Sequence, residues 1–177
     1  MGKAYQRANN EFKTWVFSMH IKSAIENGKI SDECFTNDYK IGKRISYYDI
    51  GDIKTWSYNL ASTAKGSCFV AFDEALDSIY KKKPGDFPNK YHDMKRGTLR
   101  ILIYMIRCAF AHNPAHPTWQ AYGKYAGIGK LKLQDIGLEL DIAELNGQSL
   151  SDSQFGGFEK LVELMEYCLE VIREDDR

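Results

Sequence analysis

The strongest constraint on the fold is the stretch at residues 99–119, LRILIYMIRCAFAHNPAHPTW, in which seven of the first eight residues are large and apolar. A helix built from residues 99–106 has no polar side except at Arg100, so it predicts a central helix surrounded by other helices or by a second subunit. It is expected to begin near Tyr91 or Asp93. Pro114 disfavours helical geometry at Asn113, so the helix ends at or before that residue. The most hydrophobic helix of the chain thus delivers Arg107 and His112, with Asn113 and His116 just beyond.

The rest of the chain supplies elements to surround it. Phe12, Trp15, Val16, Met19 and Ile25 follow helical spacing over residues 4–27, and Gly28 gives a stop signal. Residues 29–53 mix turn formers with aromatics and read as a loop with a short helix. Over residues 54–82 a stripe of Trp56, Leu60, Ala64, Cys68, Ala71, Ala75 and Ile79 predicts a long helix, ended by Pro84 and Gly85. On its polar side Asp73, Glu74 and Asp77 read most simply as solvated charges, with the alternative that one carboxylate orients a distant arginine.

After Pro117 the period changes to two. Ile136, Leu138, Leu140 and Ile142 alternate with Gly137, Glu139, Asp141 and Ala143, which predicts a β-hairpin over residues 118–143 with ragged ends. Asn146-Gly147 makes the next turn. Ser151 and Gln154 fit a capping box opening a final helix to about residue 173, with Ser153 as a rival cap. Its stripe is Phe158, Leu161, Val162, Met165, Leu169 and Ile172, and Gly156 and Gly157 in its first turn weaken it by roughly 1 kcal/mol each. The fold class is therefore mainly α, a bundle of four to five helices with a hairpin inserted before the C-terminal helix. At 177 residues it fits one domain.

Apolar content of 44% and charged content of 27% are those of a soluble globular chain, and no apolar run reaches the roughly 18–20 residues a membrane span needs. The N-terminus lacks the apolar segment of a signal peptide, so a cytoplasmic location is expected. Cys34, Cys68, Cys108 and Cys168 are too far apart for a C-x-x-C site and read as small hydrophobes. Zero net charge conceals an asymmetry: residues 1–134 carry 21 Lys+Arg against 12 Asp+Glu, residues 135–177 carry 3 against 12. The basic residues are densest over 81–100, which suits a nucleic-acid surface or a solvated helix end.

Arg107 and His112 are five residues apart, so on an ideal helix they point about 140° away from each other. They meet only if the helix unwinds before His112 or if a symmetry-related copy brings a second arginine and histidine to the same basic cleft. Alternatives at this point are that Arg107 satisfies a buried carboxylate while His112 caps the helix, and a metal site from Cys108, His112 and His116. Pro114 breaks the helix that would align His116 with the other two. A Cys108–His112 nucleophilic pair is disfavoured by the apolar run beside it.

An arginine, four intervening residues and a histidine at the end of an apolar helix resemble the R-x(4–6)-H motif of the HEPN (higher eukaryotes and prokaryotes nucleotide-binding) family. The resemblance covers the helices of the whole chain, with the hairpin as an insertion. It implies a helical bundle, a homodimer and a metal-independent endoribonuclease without a cofactor, of the kind found in toxin–antitoxin, antiphage and RNA-processing systems. Partners would be RNA and an antitoxin protein, with no membrane. In that chemistry His112 removes the ribose 2′-hydroxyl proton or protonates the leaving 5′-oxygen, and Arg107 grips the phosphate, leaving a 2′,3′-cyclic phosphate. Asn113 orients the histidine, contacts phosphate or caps the helix; Cys108, His116, Arg100, Arg96 and Lys95 are the supporting residues. Where the family often has Asn, Asp or His after the arginine, this chain has Cys108. The alternatives are a catalytically silent module binding RNA, a nucleotide or a protein, and a structural helical protein whose acidic final helix is the interaction surface.

Overall fold

The chain is mainly helical, in a computed structural model that describes residues 2–31, 40–41, 44–45, 52–80 and 96–176, without the side chains of 40–41, 44–45 and Lys124. Helices α1 (Lys3–Glu26) and α2 (Ile53–Tyr80) pack along each other. Between them lies a two-residue pair of strands, β1 (Lys40–Ile41) and β2 (Arg44–Ile45), antiparallel with Lys40 opposite Ile45. The loop and short helix expected over 29–53 otherwise fall largely outside the described residues. So do Pro84 and Gly85.

The buried stripe of α2 differs from the expected one in its first half. Ile53, Ser57 and Ala61 are buried, whereas Trp56 is 36% exposed. Small residues carry this interface: Ser57 folds its hydroxyl onto the Lys54 carbonyl, and Gly66 lets the Phe110 ring lie against the α2 backbone. A Cβ at Gly66 would stand 3.0 Å from that ring.

Helix α3 (Gly97–His112) is the central helix the apolar run predicts, with Leu99, Ile101, Leu102, Ile103, Met105 and Ile106 no more than 1% exposed. It begins later than expected. Arg96 takes a left-handed conformation (φ 68°), which an α-helix cannot pass through, and the helix starts after it. Its own chain covers it, with α2 on one side and the hairpin on another, so its apolar surface does not require a second subunit.

The hairpin is shorter than its hydrophobic alternation suggests. Strands β3 (Lys130–Leu133) and β4 (Leu138–Asp141) pair antiparallel, with Leu131 opposite Leu140 and Leu133 opposite Leu138 facing inward. Ile136 belongs to a 3₁₀ turn and Ile142 opens the short helix α4 (Ile142–Leu145), capped by Asp141. Residues 118–129 are not strand beyond one bridge from Thr118 to Ser149.

The Ser151–Gln154 capping box is present, but it closes a 3₁₀ turn at Asp152–Phe155 rather than opening the last helix. Gly156 and Gly157 follow with φ of 96° and 111°. Glycine is what such backbone favours, so the pair re-aims the chain and does not weaken the helix. Helix α5 (Phe158–Asp175) then buries Leu161, Leu164, Met165, Cys168, Val171 and Ile172, with Phe158 half-exposed and Glu159, Glu163, Glu166 and Glu170 in solvent. No described helix is long and apolar enough to cross a membrane.

Candidate functional site

The C-terminal turns of α3 hold the residues singled out by the sequence. The helix stays α-helical through His112, and Asn113 leaves it with extended backbone (φ −154°), as a residue before proline should. Unwinding before His112 is thereby excluded. Arg107 and His112 lie on different faces of one regular helix, about 7.5 Å apart along its axis.

Arg107 is anchored but not enclosed. Its side chain is 38% exposed, and its Nε faces Asp73 Oδ2 at 3.8 Å, an ion pair too long for a hydrogen bond. Burial alone would lower its pKa; the neighbouring Cys108, then Asp73 and Tyr104, outweigh that and hold it up. His112 is exposed and makes no side-chain hydrogen bond among the described residues.

Of the three α2 carboxylates only Glu74 is a solvated charge, exposed and paired with Arg7. Asp73 is 8% exposed, and burial, reinforced by Asp77, pushes its pKa up to about 7 against the pull of Arg107 and Arg100. Asp77 accepts from the Arg100 guanidinium, which lies over the Tyr80 ring at 5.5 Å. Arg100 itself is 4% exposed, inside the bundle and away from any surface a phosphate reaches.

The other predicted residues are dispersed. Asn113 turns its Oδ1 to the backbone N–H groups of Ala115 and His116, folding the turn after the helix. That turn is held from two sides: Ser62 donates to the Pro114 carbonyl, and the Leu150 N–H to that of Pro117. His116 is exposed on it. Cys108 is half-buried against Tyr104, whose phenol receives a hydrogen bond from Tyr125 and is pushed up in pKa by burial. Arg96 is occupied at the far end of α3, bonding Tyr167 and Glu174 and facing Asp135, which ties the hairpin turn to α5. Lys95, with the densest part of the basic segment, lies outside the described residues.

One helical turn beyond Arg107 the surface opens into a cleft of about 330 Å³ between α1, α2 and the end of α3. Phe110 and Ala111 line it from α3, three and four residues beyond Arg107, and Pro114 from the turn after the helix. Phe110 and Ala111 share a helical stripe with that arginine. Arg7 and Glu11 of α1 form the opposite wall, and Arg7 pairs with Glu74 at 2.6 Å, next to Asp73 in sequence. Sequence reasoning did not find this cleft; the i, i+3, i+4 relation of Arg107 to Phe110 and Ala111 was the available signal.

Among the described residues no group of three or more His, Cys, Asp or Glu is placed to hold a metal ion. Comparison with protein-family models, with curated proteins and with solved structures finds no match.

Proposed function

We propose that the chain is a HEPN-type endoribonuclease that works as a homodimer, with Arg107 of one protomer and His112 of a second copy acting on one phosphate. The observation that carries this reading is the regular helix through His112. It leaves a half-exposed guanidinium and an exposed imidazole on separate faces at the same helix end, an arrangement that two copies complete and one does not.

In the proposed reaction His112 takes the proton of the ribose 2′-hydroxyl, and that oxygen attacks the adjacent phosphorus. Arg107 donates to the non-bridging oxygens as negative charge grows on them. The bond to the 5′-oxygen breaks, that oxygen gains a proton, and the products are a 2′,3′-cyclic phosphate and a 5′-hydroxyl. DNA, lacking the nucleophile, is spared. An activity of this kind is suited to a toxin or antiphage effector, held in check by an antitoxin and acting in the cytoplasm.

The test is incubation of the purified protein with end-labelled RNA in EDTA. Cleavage to cyclic-phosphate ends, lost in Arg107→Ala and His112→Ala, supports the reading; equal cleavage by the double variant overturns it. A second reading, a catalytically silent RNA-binding module, draws on the contact of Arg107 with Asp73. It predicts RNA binding with no cleavage by the wild-type protein.

A further inference from the structure

The cleft beside Arg107 is not needed for cutting a phosphodiester, and its lining has a chemistry of its own. Its floor is apolar, made by Phe110 against Gly66, a flat ring 2% exposed and fixed by stacking on Phe69 at 6.1 Å. Its walls are polar and of both hydrogen-bonding senses. Glu11 brings a carboxylate that only accepts, Arg7 a guanidinium that only donates, and Thr63 and Ser67 hydroxyls that do both.

A volume of about 330 Å³ admits one planar heterocycle with its sugar. Arg107 is outside the lining but lies one helical turn before Ala111, which is part of it. A nucleotide with its base in the cleft has only that one turn to span for its phosphate to meet the guanidinium assigned to phosphate. The Arg7–Glu74 pair beside it is exposed on both sides and screened by water, so Arg7 is free to exchange partners.

We propose that this cleft is a base-recognition subsite selective for guanine, seating the base of the nucleotide whose phosphate Arg107 holds. Guanine is the base that offers two adjacent donors, N1–H and the 2-amino group, to one carboxylate and two adjacent acceptors, O6 and N7, to a guanidinium. Glu11 takes the donor edge and Arg7 the acceptor edge. Uracil and cytosine lack this combination, and adenine offers a carboxylate no N1–H.

The inference deepens the endoribonuclease reading and rests on it for the identity of the substrate, but its test does not require cleavage. Guanosine 3′-monophosphate and uridine 3′-monophosphate are titrated by calorimetry into wild-type protein and into His112→Ala, and a guanosine-containing and an all-uridine oligoribonucleotide follow. The expected result is guanosine binding at least tenfold tighter than uridine, in both proteins and in both free and oligomeric form. Ala111→Trp and, on the opposite wall, Ser67→Trp replace exposed residues, so circular dichroism should show both folded. Each should abolish the guanosine preference, and Glu11→Gln should reduce it to threefold or less. Equal affinity for the two nucleotides, or a preference that survives both tryptophans, overturns the subsite. Guanosine binding that obeys these variants in a protein that never cleaves RNA upholds the subsite and overturns the nuclease. Cleavage with no base preference upholds the nuclease alone.

Discussion

Asp73 on α2 and Arg107 on α3 face each other across the helix interface, Oδ2 to Nε at 3.8 Å, with the carboxylate buried and the guanidinium 38% exposed. The contact is asymmetric in its consequences. Cys108, Asp73 and Tyr104 keep Arg107 charged and its partial exposure keeps it available, while the dry surroundings of Asp73 hold its pKa at about 7. Asp73 is thus placed to keep the arginine in position rather than to neutralise it.

A raised carboxylate pKa makes stability fall as pH rises. Below the ordinary carboxylate range Asp73 is protonated in both folded and unfolded states. Between about 4 and 7 the unfolded chain has released the proton and the folded chain has not, so folding is progressively disfavoured. Asp77, raised in the same direction by burial, adds to the trend. Urea unfolding should give a stability lower by about 1–3 kcal/mol at pH 8 than at pH 5 from these groups. Asp73→Asn should flatten the profile; an unchanged slope counts against this placement of Asp73.

His112→Ala and Arg107→Ala should each lower RNA cleavage by about 100-fold or more, the usual scale for a general acid–base or a charge-stabilising group. They should differ in stability. His112 is exposed and unbonded, so its removal should leave the melting temperature unchanged, whereas loss of Arg107 leaves Asp73 buried beside Asp77 and should lower it. Scanning calorimetry beside the cleavage assay separates the two.

Arg100 should behave as a structural residue. Arg100→Gln removes the partner of Asp77 and the cation over Tyr80, and a loss of about 2–4 kcal/mol is expected, toward the lower end because Asp77 is only partly buried. RNA affinity per folded molecule should be unchanged in a filter-binding assay. A weakened affinity in folded protein would place Arg100 on the RNA path instead.

Gly66→Ala improves helix propensity by about 1 kcal/mol but drives a methyl to 3.0 Å from a ring that Phe69 prevents from retreating. A net destabilisation of about 1 kcal/mol is expected in denaturant unfolding, since overpacking costs more than propensity returns. A stabilised variant would mean that Phe110 moves freely.

What the sequence made legible was local and periodic. The helices, the central place of α3 and the inward leucines of the hairpin follow from spacings of 3.6 and 2 that neighbours in the chain enforce on each other. The shift of the α2 stripe was not legible, because Ser57, Ala61 and Gly66 are buried for their size rather than their hydropathy. Nor was the burial of Asp73 and the partial burial of Asp77 legible, because it depends on Arg107 and Arg100 of α3, far away in sequence. Arg96 could not announce its left-handed backbone, since glycine or asparagine is the usual sign of one. Arg107 and His112 were visible as a spacing, yet only the continuity of α3 to Asn113 decides that one chain does not bring them onto one face.

The central claim is that Arg107 and His112 act from different copies of the chain. Arg107→Ala and His112→Ala proteins, each inactive alone, should be mixed, allowed to exchange subunits and assayed on RNA. A mixed dimer then holds one intact pair, an arginine from one chain and a histidine from the other. Cleavage should return to about a quarter of the wild-type rate, since half the dimers are mixed and each has one of its two sites restored. If exchange is verified and the mixture stays as inactive as its components, the site lies within one chain and the account is contradicted.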